Sequence, residues 1–298
     1  MDSSTRVAYH AGDWYEDDPR LLAKEIGDYL SNSKRLEQYN SLKSIIVPHA
    51  GYFFCGPTAG KSFININPSN FNRVVVIGPS HHEYFHACGL TPYESFETPF
   101  GDVKVDTDTI NKLLANKDLF FTLSETTDVK EHSIEMEMPF LKYIFNKKDF
   151  SLIPKMVGHN DYMTNTKIGE ALYDLYEDPK TLFVISSDFC HWGQNFGFTY
   201  YNKDFDNIWE STQDLDKQAL DIISEMNSSK LDEYFKKTRN TICGRNPITI
   251  VLSTIENYKK NHKDKKLSFD SVGYTQSNKA KSKYDSSVSY AAGVNFIM

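Results

Sequence analysis

The stretch FNRVVVIGPSHH, residues 71–82, decides how the chain is read. Val74 to Ile77 form an uninterrupted apolar run, and Gly78, Pro79 and Ser80 end it. A short run without polar alternation predicts a strand buried on both faces, and the glycine and proline predict the loop that follows. The same grammar appears in SIIVPHAGYFFCG (44–56), where a strand over Ser44 to Val47 stops at Pro48 and empties into a glycine-bounded loop. It appears again in TLFVISSDFCHWG (181–193), where Leu182 to Ile185 run into Ser186, Ser187 and Asp188. SLIPKMVG (151–158) predicts a further strand.

Helical spacing surrounds these strands. Asp18 to Ser31 carries Leu21, Leu22, Ile26 and Leu30 after an early Pro19. Further helices are predicted over Thr107 to Ala115, His132 to Phe145 with a kink at Pro139, Lys167 to Tyr176, Ile208 to Met226 and Leu231 to Lys237. Asn246 is expected to cap a helix entered at Pro247, whose apolar face runs through Ile248, Val251, Leu252, Ile255 and Tyr258. Two alternating segments, LSFDSVGYTQS (267–277) and SSVSYAAGVNFI (286–297), suit strands added to the sheet. Short apolar runs alternating with helical patterns give an α/β fold in three layers, a mixed or largely parallel central sheet with helices on both faces. No repeat or linker divides the chain, so residues 1–298 are expected to form a single domain.

Composition narrows the function. A formal net charge of -7 disfavours a nucleic-acid footprint, which needs clustered Lys and Arg. No leader pattern opens the chain and no apolar window reaches membrane-spanning length, so membrane insertion is not expected, and the cytoplasm, or the nucleus, is the expected location. Cys55, Cys88, Cys190 and Cys243 show neither CxxC spacing nor the density of a disulfide scaffold and are read as free thiols.

In open α/β sheets, ligands gather beyond the carboxyl ends of the strands. His49, His81 and His191 each lie two to six residues past such an end. A lone histidine means little, but three in one topological position point to a metal, and imidazole suits copper, iron, zinc and nickel. Asp188, Glu131, Glu135, Cys190 and Cys243 are candidates for a further group, with Cys243 favoured because Thr241-Ile242-Cys243-Gly244 precedes a helix. His81 and His82 point to opposite faces of an extended segment, so one of them enters the site. His132 and Glu135 can share a helix face, as an auxiliary carboxylate, an acid/base group or a plain ion pair. HSIEM lacks the HExxH pattern of zinc proteases, and neither GxGxxG, a P-loop nor GxSxG is present.

The motifs HAGDWY (10–15), PHAGYFFCG (48–56), IGPSHH (77–82), EHSIEM (131–136), SSDFCHWG (186–193), TICGR (241–245) and SSVSYAAG (286–293) run in order along nearly the whole chain, which resembles the Memo family, mediators of cell motility. The resemblance implies a fold similar to class III extradiol dioxygenases, non-heme iron enzymes that cleave catechols. It implies metal-site residues at His49, His81, His191 and Cys243. A thiolate in that set departs from the histidine and carboxylate pattern of the dioxygenases and argues against catechol ring cleavage. Two function classes follow from it. One is a copper or iron redox protein, zinc being less favoured, in which His132 or Asp188 orients a ligand or moves protons and oxygen and a small-molecule reductant are the partners. The other is a regulator of signalling, motility or growth that binds a protein or phosphopeptide without catalysis, or a protein that sequesters Cu(I). For the binding role, Trp14, Tyr52, Phe53, Phe54 and Trp192 are candidates to line a pocket, and Arg20 and Arg245 to meet a phosphate.

Overall fold

The computed structural model describes residues 4–298. Four strands, Leu42–Val47, Thr181–Ser186, Arg73–Pro79 and Ser151–Val157, lie parallel in that order at the centre of a nine-stranded sheet. All six residues of Leu42–Val47 and of Thr181–Ser186 are buried, which is why their sequences show no polar alternation. The sheet becomes mixed toward its edges. Ser287–Ile297 runs antiparallel to Leu42–Val47 and also pairs antiparallel with Leu267–Gln276 and His191–Trp192. At the other edge Cys88–Leu90 is antiparallel to Ser151–Val157 and parallel to Phe120–Thr122. A separate three-stranded sheet joins Thr5–Arg6, Ser95–Phe96 and Val103–Lys104.

Strand alternation places helices on both faces. The Phe183 ring packs on Tyr176 of the Tyr173–Glu177 helix, with centroids 5.2 Å apart. Ser186, three residues on, therefore points to the other face, where its hydroxyl meets Ser133 and Glu137 from the helical segment beyond residue 131. The result is the three-layer α/β fold with a mixed sheet expected above, consistent with an extradiol-dioxygenase-like architecture. One hydrophobic core extends from Tyr15 to Phe296.

The segment after His49 is not a loop: Tyr52–Phe63 is an α-helix with Pro57 inside it. Pro57 withholds the amide that would bond the Phe53 carbonyl, but Phe53 is 84% exposed, so water can meet that oxygen. The glycines there serve packing. A Cβ on Gly56 would lie 2.3 Å from the Tyr29 ring, and one on Gly60 would lie 2.8 Å from the Tyr29 carbonyl, so the Pro19–Ser31 helix approaches only because both are glycine.

The expected helix over 132–145 is two pieces, His132–Glu135 and Met138–Phe145. Its break falls upstream of Pro139, because Pro139 offers no N–H to the Glu135 carbonyl and the Tyr52 hydroxyl takes the Met136 carbonyl at 2.7 Å. The helix expected over 167–176 is also split, into Tyr162–Ala171, capped by Asp161, and Tyr173–Glu177. Asn246 is not a cap: Gly244 takes that position before the Arg245–Asn261 helix, and the Asn246 amide donates to the Gly158 carbonyl and accepts from Asn165.

Candidate metal centre

His49 follows the first central strand, and its backbone N–H donates to Asp188 Oδ1 at 2.8 Å, tying it to the loop after Thr181–Ser186. Its Nδ1 lies 2.6 Å from Ser186 Oγ, which also donates toward the Ser133 carbonyl or Glu137. With Nδ1 held, Nε2 is the free nitrogen, and it faces Cys243 Sγ at 3.2 Å. His81 follows the Arg73–Pro79 strand, and Glu131 fixes it twice, accepting from its backbone N–H at 2.6 Å and its Nδ1 at 2.8 Å. Glu131 also accepts from Ser133 N at 2.9 Å and stands 3.6 Å from His132 Nδ1. A carboxylate behind an imidazole in this way sets the tautomer that leaves Nε2 for a metal.

Among the described residues, His49, His81 and His132 each offer one nitrogen, and those three atoms lie within 4.8 Å of one another, a group that could hold a metal ion. Their rings confirm the convergence, with centroids 5.1 Å apart for His49 and His81, 5.3 Å for His49 and His132, and 4.4 Å for His81 and His132. His191 stands beside the group with its Nδ1 bonded to the carbonyls of Phe189 at 2.8 Å and Thr241 at 3.1 Å, again leaving Nε2 free. Both histidines of the pair are exposed, and the His82 ring lies edge-on to His132 with centroids 6.2 Å apart, but it is His81 whose nitrogen joins the group.

The electrostatics follow from burial against partners. Burial drives the His49 imidazole well below its usual range and lowers His132 to about 3. Burial would lower His81 too, but its bonds to Cys243 and Glu131 outweigh it and raise the group to about 10. Burial would raise Glu131, and the His81 partnership instead lowers it to about 2. The Cys243 thiol is raised by burial despite the pull of His81, so its position just before a helix does not by itself yield a thiolate. Burial raises Asp188 to about 7. Its carboxyl accepts backbone N–H from His49, while its carbonyl lies 3.5 Å from Cys243 Sγ.

Several expected contributors lie elsewhere. Glu135 turns from His132 and accepts from Arg6 Nη1 at 2.6 Å, His10 N at 2.7 Å and the Tyr15 hydroxyl at 3.0 Å. Cys190 is buried with Thr241 and Asp216 as neighbours. Tyr52 and Trp192 are core residues, 2% and 1% exposed, with their polar tips spent on the carbonyls of Met136 and Tyr200. Trp14 does line the centre, its ring 4.4 Å from His132, and Phe53 and Phe54 are exposed. Arg20 and Arg245 line different clefts and do not converge.

Three supporting residues were not singled out as such from sequence. Arg6, 1% exposed, donates to the carbonyls of Asp128, Val129 and Glu131 and so shapes the segment that carries His132. Ser186 and Glu137 form the buried shelf behind His49. For Ser186 the strand-end position was the signal, whereas nothing local marks Arg6 or Glu137.

Fold and site together define an α/β protein with a histidine-lined centre at the carboxyl ends of its parallel strands. The model of the Memo-like protein family matches residues 6–294. Protein memo-1 homolog of Caenorhabditis elegans is 39% identical over 98% of this chain and 83% of its own length. Protein MEMO1 of Danio rerio is 39% identical and that of Homo sapiens 37%, each over 97% of this chain and 96% of the relative. The chain belongs to the Memo family. Among solved structures, the uncharacterized protein JW3007 from Escherichia coli K12 superposes with a TM-score of 0.54 at 12% identity, over 86% of this chain and 99% of that one, a likeness of fold alone. No described helix is long and apolar enough to cross a membrane.

Proposed function

We propose that the protein is a metal-binding redox protein that uses copper or iron and acts in signalling, motility or growth. The observation that carries this reading is the clustering of His49, His81 and His132 nitrogens beside the Cys243 thiol, with protein oxygens behind the Nδ1 atoms of His49 and His81. Three imidazoles and a thiol are a donor set for Cu(I), and Fe(II) is accommodated by the same imidazoles. His49, His81 and His132 would hold the ion, with Cys243 and His191 placed to complete or modify the set. When bound, the ion supplies one-electron chemistry between an external reductant and oxygen.

The residues of this chain contribute orientation and proton holding. Glu131 keeps His81 in one tautomer, and Ser186 does the same for His49. Glu131 is spent on the Nδ1 side of His81 and on backbone N–H groups, and the Asp188 carboxyl on the His49 backbone, so neither joins the three clustered nitrogens. That arrangement disfavours the histidine and carboxylate chemistry of catechol cleavage. The Asp188 carboxyl, raised to about 7 by burial, sits at the His49 backbone N–H, where it can hold a proton behind that ligand.

A second reading, Cu(I) sequestration or non-catalytic partner binding, draws on the half-buried thiol and on Phe53 and Phe54, exposed on the helix that follows His49. Oxygen consumption by the metal-loaded protein with an added reductant separates the two. Turnover that disappears in His49→Ala and Cys243→Ser, with the fold retained, supports the redox reading; tight binding without turnover supports sequestration.

A further inference from the structure

A groove of about 760 Å³ lies away from the centre, between the Pro19–Ser31 and Met138–Phe145 helices. Ile66, Pro68 and Asn146, which line it, belong to the connections that enter Arg73–Pro79 and Ser151–Val157. It therefore stands at the amino ends of the parallel strands, opposite the ends that carry the histidines. Its length follows the helix beneath it: Pro19, Ala23 and Leu30 all line it, and at the helical rise Pro19 to Leu30 spans about 16 Å. Small residues keep that helix face low. A Cβ on Gly27 would stand 3.1 Å from the Tyr143 hydroxyl, so the Tyr143 side chain lies directly against backbone. Leu30, Ile66, Phe100 and Tyr143 make the interior apolar, with the two aromatic rings 5.9 Å apart.

The rim is cationic. Arg20, Arg35 and Lys142 line the groove and no Asp or Glu does, in a chain whose formal net charge is -7, so the local field opposes the global one. Arg20 is paired with Asp18 at 3.4 Å, and Lys142 Nζ spends one N–H on the Asp102 carbonyl at 2.9 Å. Arg35 has no carboxylate partner among the described residues. Its Nε donates to the Ile64 carbonyl at 2.7 Å and its guanidinium covers the Tyr39 ring at 4.9 Å, which fixes the fork and leaves both Nη groups. The Tyr143 hydroxyl likewise has no hydrogen-bond partner among the described residues. Asn146, on the same wall, has φ +49° and ψ -111°, in a turn closed by Lys148 N on the Phe145 carbonyl at 2.8 Å. Glycine fills such a position at least cost, so the backbone strain is concentrated at the groove.

We propose that this groove binds an amphipathic carboxylate, a molecule with an extended acyl chain and one anionic head, with the chain laid along the Pro19–Ser31 helix and the head on Arg35. The two free Nη groups of a fixed guanidinium match the two oxygens of a carboxylate. Length, apolar interior and unpaired cation together select this class. A small inorganic anion would leave the apolar trench unfilled, and a neutral hydrocarbon would leave Arg35 unpaired. The inference is independent of the metal chemistry proposed above.

Isothermal titration calorimetry of the full chain with hexanoate, octanoate and decanoate, and with octanamide as the neutral counterpart of octanoate, supplies the test. The groove predicts one decanoate bound per chain and an affinity that rises about three- to fourfold for each added methylene. Octanamide should bind about tenfold more weakly than octanoate, the loss of one charge-assisted contact. Arg35→Gln should weaken octanoate about tenfold and leave octanamide unchanged. Ala23→Phe, a change at a half-buried position, should fill the groove and abolish binding of all four ligands, with an unchanged Tm as the control for folding. Equal affinity for octanoate and octanamide, an affinity flat with chain length, or octanoate binding unaltered in both variants would overturn the proposal. Capture of the carboxylate at the histidine centre would give that last pattern, since neither substitution touches the centre. Failure of the groove leaves the metal-centre reading standing, and failure to bind metal leaves the groove standing.

Discussion

Lys155 lies in the middle of the Ser151–Val157 strand, 0% exposed, and its Nζ has no hydrogen-bond partner among the described residues. The Phe120 ring, 5.4 Å away, is its compensation, with Cys88 nearby. Burial lowers the amine from its ordinary 10.5 to about 8. At about 1.4 kcal/mol per tenfold change in proton affinity, that lowering corresponds to about 3 kcal/mol. The unfolded chain keeps this proton up to about pH 10.5 and the folded chain releases it near 8, so the unfolded state binds more protons in that window. Stability from this group therefore rises with pH between about 8 and 10.5, and below 8 the full penalty is in force. Lys155→Met keeps the length and removes the charge. After allowance for the lost cation–π contact, it should stabilise the protein by about 1–3 kcal/mol at pH 7. The gain should vanish toward pH 10.5. Urea denaturation at pH 7 and pH 10 with an unchanged m-value measures it. A destabilised variant at pH 7, or a gain of equal size at both pH values, would refute the reasoning. Metal affinity should not change, since Lys155 does not belong to the centre.

Glu131→Gln leaves the His81 N–H groups without a carboxylate and should weaken metal binding about 10- to 100-fold, measured by competition with a chelator. Gly244→Ala places a methyl 2.3 Å from Ser187 Cβ beside Cys243, and should cost about 1–3 kcal/mol in chemical denaturation while lowering metal affinity. Saturation with metal at a hundred times its Kd should stabilise the folded chain by about 2.7 kcal/mol, and a chelator should reverse the shift in Tm. The size of that shift should fall in His132→Ala, a member of the histidine cluster.

The central strands were legible because burial on both faces leaves a plain apolar signature, as in Val74 to Ile77. His49 and His81 were legible because a strand end fixes where the following residues emerge. The Tyr52–Phe63 helix was hidden because Gly56, Gly60 and Pro57 are helix breakers in isolation; the glycines answer to the distant Tyr29, and Pro57 is tolerated where Phe53 is exposed. Sequence makes His132 an auxiliary to the metal ligands, yet its nitrogen joins the cluster, on a segment that the distant Arg6 holds in place. Ser186 and Glu137 meet only across 49 positions of sequence, so no local pattern announces their contact. Tyr52 and Trp192 show the converse error, since an aromatic near a site motif is as well used by the core.

The most direct measurement is an anaerobic titration of metal-free protein with Cu(I) and Fe(II), repeated on His49→Ala, His81→Ala and His132→Ala. The account predicts one ion bound per chain in the parent protein and a large loss of affinity in each of the three variants. Failure of the parent protein to bind either ion, or binding that survives all three substitutions, would contradict it.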